Sequence, residues 1–132
     1  MKRFVDLWVN KIVNSYNMKH TCQAALITCE DFRLHQRKDG RNYVAEFINK
    51  LGIDCDLITR AGGVQDIVRP KNTGFLGSLL RDIEVSVKLH KVNTIFLLNH
   101  EDCGAYQDIN FNSRQEELKQ HKKDLRYTKK FY

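Results

Sequence analysis

The hydrophobic pattern of the chain alternates between short apolar runs and longer segments with helical spacing. Residues 24–28 and 94–98 are almost continuously apolar, which is typical of strands buried on both faces of a parallel sheet. A shorter strand is predicted at 56–59. Apolar residues recurring every three or four positions predict a helix at 43–51 and, before the last of these strands, a second helix whose apolar face is formed by Leu76, Leu79, Leu80, Ile83 and Val87. This alternation predicts an α/β fold with a short parallel β-sheet, right-handed crossovers and flanking helices.

Both ends of the chain are predicted to be helical. An amphipathic helix is expected over residues 2–18, because large apolar side chains recur there at helical spacing: Phe4, Leu7, Trp8 and Ile12. A strongly polar helix is expected at 116–126, with Leu118 and Leu125 as its few apolar contacts. Its apolar stripe is therefore much thinner than that of the helix at the other end.

The length of 132 residues fits one domain. We divide it into an amino-terminal helix (1–18), a core (24–107) and a basic carboxy-terminal helix and tail (113–132). No run of about 18 apolar residues could span a membrane. The first residues, Met1-Lys2-Arg3, lead into a stretch interrupted by Asp6 and do not resemble a secretory leader. We therefore expect a cytoplasmic protein without a membrane partner.

The cysteines and the charge distribution narrow the range of protein classes further. Four cysteines favour a reducing compartment over a disulfide framework, and Cys22 and Cys55 are expected to be small buried hydrophobic residues. The net charge is +6, and residues 114–132 hold seven Lys or Arg against three acids, so +4 of it lies there. Because no aromatic-interleaved motif accompanies these basic residues, they predict a solvated surface and not a nucleic-acid site.

Two short polar motifs follow the predicted buried strands. Cys29-x-Asp31-x-Arg33 comes after the strand at 24–28, and His100-x-x-Cys103 follows the strand at 94–98. Ligands bind at the carboxyl ends of the strands in an open parallel sheet. Two thiolates and an imidazole are ligands that Zn²⁺ prefers, and three such ligands would leave the fourth position open, as in catalytic sites.

The two motifs, in this order, resemble the signatures of the β-class carbonic anhydrases. The segment at 57–63 is similar to that family's second strand and the loop after it, and the segment at 78–91 is similar to its long helix. The resemblance covers roughly residues 20–107. It implies a Rossmann-like sheet and a zinc ion held by Cys29, His100 and Cys103. It also implies reversible hydration of carbon dioxide to bicarbonate by zinc-activated hydroxide.

Further site residues follow from the same resemblance. Asp31 and Arg33 would form a catalytic pair. While Arg33 holds the Asp31 carboxylate, that carboxylate would orient the nucleophile. When the pairing is broken, the carboxylate would bind zinc instead. Gly62 and Gly63 would let the backbone approach the pocket. His20 lies near the position where the family often has a substrate-positioning Gln, although Gln23 is three residues closer to the first motif.

Some positions depart from the family pattern and leave alternatives open. Phe32 replaces a common Ser, and Arg60 stands where Asn is usual. The last strand of the family is not evident, so the chain would be truncated or a reduced version whose exposed sheet edge is covered in a homodimer or larger oligomer. The amino-terminal helix would pack across the partner or on its own sheet.

Other functions therefore remain possible on this scaffold. One is a zinc-binding relative without turnover, and another is a carbonyl sulfide or carbon disulfide hydrolase. A third is a redox or nucleic-acid module whose cysteines are not ligands.

Overall fold

A computed structural model describes residues 13–131 of the chain. Three strands lie within these residues: β1 (Ala24–Thr28), β2 (Cys55–Thr59) and β3 (Thr94–Leu98). They alternate with four helices: α1 (Tyr43–Leu51), α2 (Gln65–Val68), α3 (Thr73–His90) and α4 (Arg114–Phe131). Short 3-10 helices follow β1 and β3, at Phe32–Leu34 and Gly104–Asp108.

The three strands form one parallel sheet in the order β2-β1-β3. This confirms the predicted α/β fold. The central strand β1 is buried along its whole length because it has a strand on each side and helices on its faces. Thr28 at its end lies opposite Thr59 of β2 and Leu98 of β3, so all three strands end at the same edge.

Local sequence signals explain the helix boundaries. The Asn42 side chain accepts a hydrogen bond from the N–H of Ala45 at 2.9 Å and begins α1, and Gly52, with φ of 66°, ends it. The Asn72 side chain accepts from the N–H of Gly74 at 2.7 Å, so α3 begins at Thr73, five residues before the predicted start. The four-residue helix α2 was not predicted.

The main core lies between the sheet and α3. Its buried members are apolar side chains from the sheet, α2, α3 and the turn before β3: Ala25, Ile27, Ile58, Ile67, Leu79, Ile83 and Val92. Cys22 packs against this cluster and Cys55 is half-buried, which partly matches the prediction of buried cysteines. Burial raises the pKa of the Cys55 thiol to about 11. On the other face of the sheet, Phe47 of α1 packs edge-on against Phe96.

The two terminal segments differ from their predictions. The helix predicted at 2–18 lies mostly outside the described residues, and residues 13–18 form irregular chain and a turn. Helix α4 extends beyond the predicted 116–126 at both ends. Leu118 and Leu125 are half-buried, but the deepest side chains of α4 are polar: Glu117, His121, Asp124 and Thr128. No helix among residues 13–131 is both long and apolar enough to cross a membrane.

Candidate metal centre

Two neighbouring strand ends bring three donor residues together. Cys29 follows β1 directly, while His100 and Cys103 lie in the loop after β3. Because β1 and β3 are adjacent and parallel, their carboxyl ends meet at one edge of the sheet. The ligand atoms of Cys29, His100 and Cys103 all lie within 4.8 Å of one another. The structure therefore brings the three predicted ligands together.

The spacing and burial of these donors fit a zinc ion. The Sγ atoms of Cys29 and Cys103 are 3.9 Å apart, and two thiolates on one tetrahedral zinc lie about 3.8 Å apart. The Nε2 atom of His100 is buried and has no hydrogen-bond partner among the described residues. A buried polar atom without a partner is costly, and a metal ion would satisfy it. The site thus has donors of the right kind and spacing, and a buried His100 nitrogen that lacks a partner.

Electrostatics favour one thiolate in this cluster even without an ion. The neighbouring Cys103 thiol lowers the pKa of Cys29 to about 4, and His100 and the N–H of Gly62 act in the same direction. The pKa of Cys103 is raised, because a second negative charge beside the Cys29 thiolate is unfavourable and the thiol is buried. The Cys29 thiolate also raises the pKa of His100 against the effect of burial. A divalent cation would balance the charge of two thiolates.

Asp31 and Arg33 form the ion pair that their spacing predicts. The guanidinium donates from Nε to Oδ1 at 3.0 Å and from Nη2 to Oδ2 at 2.8 Å, which is a bidentate arrangement. The Arg33 guanidinium holds the pKa of Asp31 well below its usual range. Oδ2 of Asp31 lies 3.9 Å from Nε2 of His100. An ionised carboxylate thus stands directly beside the three donors.

Arg33 also joins the two motifs to each other. Its Nη1 donates to the Asp102 carboxylate at 2.9 Å, and its Nη2 donates to the Asp102 carbonyl at 2.7 Å. Asp102 has φ of 54°, a left-handed conformation that is uncommon outside glycine, Asn and Asp. One side chain therefore fixes both Asp31 and the loop that carries the second pair of donors.

The two glycines after β2 make close approaches that a side chain would prevent. The N–H of Gly62 donates to Sγ of Cys29 at 3.4 Å. A Cβ on Gly62 would lie 2.7 Å from Oε1 of Gln65, and one on Gly63 would lie 2.6 Å from Oδ1 of Asn99. Both glycines have positive φ, of 81° and 60°. The glycine pair therefore packs against the donor cluster itself.

The structure does not bring His20 to this site within one chain. His20 is exposed and precedes β1, whereas Cys29 follows that strand, so the two lie at opposite edges of the sheet. The alternative, Gln23, is also at the far edge, where its Oε1 accepts from the N–H of Asp54 at 3.1 Å. Neither residue contacts the donor cluster, since a five-residue strand is about 16 Å long.

Helix α4 supplies residues that the sequence reasoning missed. Glu117 accepts hydrogen bonds from the N–H groups of Asp102 at 2.8 Å and Cys103 at 3.1 Å. Burial alone would raise the pKa of Glu117, but these two donors, together with His121, outweigh the effect of burial and lower that pKa. His121 contacts Glu117 from behind, with Nε2 3.2 Å from Oε2, and its Nδ1 lies 3.0 Å from Nδ2 of Asn99. The loop between His100 and Cys103 is thus held from α4.

A second group of polar residues fastens α4 to the rest of the domain. The Tyr106 hydroxyl donates to Asp124 at 2.8 Å, and Nη1 of Arg69 reaches both Asp124 oxygens at 3.0 and 2.9 Å. The Tyr106 ring also packs against His121, with centroids 4.3 Å apart. In the sequence, the polar residues at 117, 121, 124 and 128 share one face of a helix, and this was the available signal for these contacts. An exposed helix face has the same pattern, so the signal does not distinguish a buried face from an exposed one.

An open cleft of about 930 Å³ leads to the donor cluster. Its lining includes Asp31, Arg33 and Cys103 of the site, together with Phe111 and Arg114. This volume is large enough to admit a small molecule. The arrangement therefore combines a three-donor metal cluster, an ionised carboxylate and access from solvent.

Two curated proteins are similar to this chain. An uncharacterized protein of Rickettsia bellii is 28% identical over 111 residues, which are 80% of this chain and 64% of that protein. An uncharacterized protein of Rickettsia conorii is 29% identical over 103 residues, or 73% of this chain and 52% of that protein. The chain thus spans less than two thirds of the length of these curated relatives. No solved structure matches it significantly.

A protein-family model described as "Putative carbonic anhydrase" matches residues 18–131. The match includes both motifs and every strand and helix of the structure. Because it covers most of the sequence, the chain belongs to this family.

Proposed function

We propose that the chain is a zinc-dependent carbonic anhydrase of the β class, which catalyses the reversible hydration of carbon dioxide to bicarbonate. The observation that carries this proposal is the convergence of Cys29, His100 and Cys103 beside an intact Asp31–Arg33 pair. Membership of the family supports it. The relatives are uncharacterized, so they add no activity of their own.

Cys29, His100 and Cys103 would hold the zinc ion through two sulfurs and one nitrogen. When bound, zinc lowers the pKa of a coordinated water to about 7 and so supplies a nucleophile at neutral pH. The Gly62 N–H supports the Cys29 sulfur, and Glu117 holds the backbone of Cys103. These contacts orient the ligands before the ion binds.

Asp31 would orient the attacking water. Its carboxylate is ionised at neutral pH because Arg33 binds both of its oxygens, so it accepts hydrogen bonds and does not donate them. Because Arg33 binds both of its oxygens, this carboxylate would stay off a bound zinc ion, which would leave one ligand position open. Carbon dioxide would enter through the cleft beside Arg33.

Two departures from the family pattern are compatible with this role. The Phe32 side chain is 75% exposed, so it does not fill the space between the three donors. Arg60 forms an ion pair with Asp66 at 2.9 Å and donates to the Phe75 carbonyl at 3.2 Å. Its side chain is therefore used to hold the loop after β2 to α3.

We also propose that the protein functions as a homodimer or larger oligomer. Within residues 13–131, β2 and β3 each have a free edge, and an exposed edge favours pairing with or coverage by another chain. Light scattering coupled to size exclusion measures the mass directly. A monomer at micromolar concentration would contradict this part of the proposal.

Replacing a ligand should remove zinc. We expect the Cys103→Ala variant to lose the zinc of this centre and its hydration activity, and to unfold at lower temperature, because two buried donors lose their shared ion. Elemental analysis and stopped-flow hydration of carbon dioxide on the same sample measure both losses. Cys55→Ala is the matched control, since Cys55 lies outside the cluster. Equal zinc and activity in Cys103→Ala and the wild type would contradict the ligand assignment.

Releasing Asp31 should separate metal binding from turnover. In the Arg33→Ala variant we expect zinc to be retained but hydration to be lost, because the freed carboxylate, 3.9 Å from Nε2 of His100, can occupy the open position. Arg37→Ala is the control, because Arg37 instead pairs with Asp39. An Arg33→Ala variant that hydrates carbon dioxide at the normal rate would refute the role given to this pair.

The closeness of Asp31 to the donors also supports a second candidate, a zinc protein whose site is closed by that carboxylate. Such a protein would bind zinc in the wild type and show no hydration at neutral or alkaline pH. Assaying carbonyl sulfide hydrolysis on the same sample then separates a closed site from an enzyme with a different substrate.

A further inference from the structure

A second cluster of metal-binding side chains lies at the opposite edge of the sheet. Cys22 precedes β1, Asp56 is the second residue of β2, and His90 is the last residue of α3. Their sulfur, oxygen and nitrogen donors all lie within 4.8 Å of one another. All three residues are half-buried, so the cluster is both held by the fold and open to solvent.

The backbone around this cluster is fixed by packing. The N–H of Cys22 donates to the His90 carbonyl at 3.1 Å, which joins the start of β1 to the end of α3. Asp56 is held in the sheet opposite Ala25. Three donors from three separate segments are therefore positioned without help from a ligand.

The side chains themselves are arranged for a cation. Nδ1 of His90 lies 2.8 Å from each oxygen of Asp56, so a carboxylate and an imidazole already face each other. Two such ligands on one zinc ion are about 3.3 Å apart, a separation that the 42%-exposed His90 side chain can reach by a small rotation. The Cys22 thiol would supply the third, softer donor.

We propose that Cys22, Asp56 and His90 form a second binding site for a divalent transition-metal ion such as Zn²⁺. Binding forms one metal–sulfur, one metal–nitrogen and one metal–oxygen bond. The thiol proton of Cys22, and any proton held between His90 and Asp56, leave to solvent. Water completes the coordination on the open side. The ion would join β1, β2 and α3 and so stabilise the fold, at a distance of about one strand length from the first centre.

The experiment is metal titration of the full chain with zinc or cobalt alone. We expect two ions per wild-type chain, and one per chain in the His90→Ala and Cys22→Ser variants. Thiolate-to-cobalt absorption should fall but persist in these variants, because the first centre keeps its two cysteines. Cys55→Ser is the matched control and should still bind two, since Cys55 is adjacent but outside the cluster.

The outcomes distinguish this site from the first one. A wild-type chain that binds one ion and loses it in Cys103→Ala would overturn the second site. Two ions in His90→Ala would overturn it as well. One ion that survives Cys103→Ala but is lost in His90→Ala would support the second site and refute the first. Circular dichroism of each variant verifies that a lost ion does not reflect an unfolded chain.

Discussion

Helices α3 and α4 are both 18 residues long, yet they attach to the domain by opposite means. The inner face of α3 buries Leu79 and Ile83 in the apolar core. The inner face of α4 buries four polar side chains, each 9% exposed or less: Glu117, His121, Asp124 and Thr128. The apolar helix supports the sheet, and the polar helix lies behind the loop that carries His100 and Cys103.

The difference shows that, within one small domain, one helix can stabilise the core while another holds the metal-ligand loop in position. Apolar contact has no preferred direction and tolerates small shifts, so it stabilises without fixing a donor atom. Hydrogen bonds are directional, and a buried polar group without a hydrogen-bond partner is costly. The two bonds that Glu117 accepts therefore fix the loop at Cys103, and Asp124 fixes the helix that carries Glu117. We expect the two helices to respond differently to mutation.

The largest effect is expected at Asp124 of α4. Asp124→Ala should reduce the free energy of unfolding by about 3–5 kcal/mol, because Arg69 and Tyr106 lose their buried partner. It should also weaken metal binding at Cys103, since α4 is loosened. Urea denaturation and metal titration measure the two effects. Asp82→Ala on α3, at a more exposed carboxylate, is the control; equal costs for the two substitutions would mean that the polar stripe does not hold α4.

Shortening a buried side chain of the apolar helix α3 should lower stability without moving the metal ligands. We expect Leu79→Ala to cost about 2–5 kcal/mol, because Leu79 is fully buried in the main core. Metal affinity of the folded variant should stay within a few-fold of wild type. Leu89→Ala, on the same helix at a 65%-exposed position, should be nearly neutral. A tenfold loss of metal affinity in folded Leu79→Ala would erase the distinction between the helices.

Of the three substitutions, Glu117→Gln is expected to change stability least. It should nevertheless lower metal affinity clearly. The amide keeps one acceptor oxygen but turns an NH₂ group toward a backbone donor, so the loop at Asp102 and Cys103 is held by one bond fewer. We expect metal affinity to fall about 10-fold or more, as when supporting contacts of other metal ligands are lost. Competition with a chelator measures it. Glu116→Gln is the control, and equal affinities in both variants would contradict a positioning role for Glu117.

Much of the fold could be predicted from the sequence, because its signals are local. The strand at 94–98 and the end of α1 at Gly52 match the structure, since a buried apolar run and a left-handed glycine each act within a few residues. Helix α2 was missed because four residues are too few to show a period. The start of α3 was placed too late because the Asn72 cap was not recognised.

The meeting of Cys29, His100 and Cys103 was also predictable, because two motifs that follow adjacent parallel strands must share one edge of the sheet. The positioning role of His20 stays a prediction: within one chain His20 lies at the far edge of the sheet, and spacing along the chain does not say at which edge a residue lies. The sequence alone determined the order of the three strands and the residue types at their ends.

Only the tertiary structure decided which way α4 faces and what its polar stripe does. A stripe such as Glu117, His121 and Asp124 has the same pattern whether it meets water or the protein interior. Burial becomes favourable when distant partners form hydrogen bonds with the stripe, as Arg69, Tyr106 and the backbone of Cys103 do here. Those partners come from separate parts of the chain, so no local pattern could identify them.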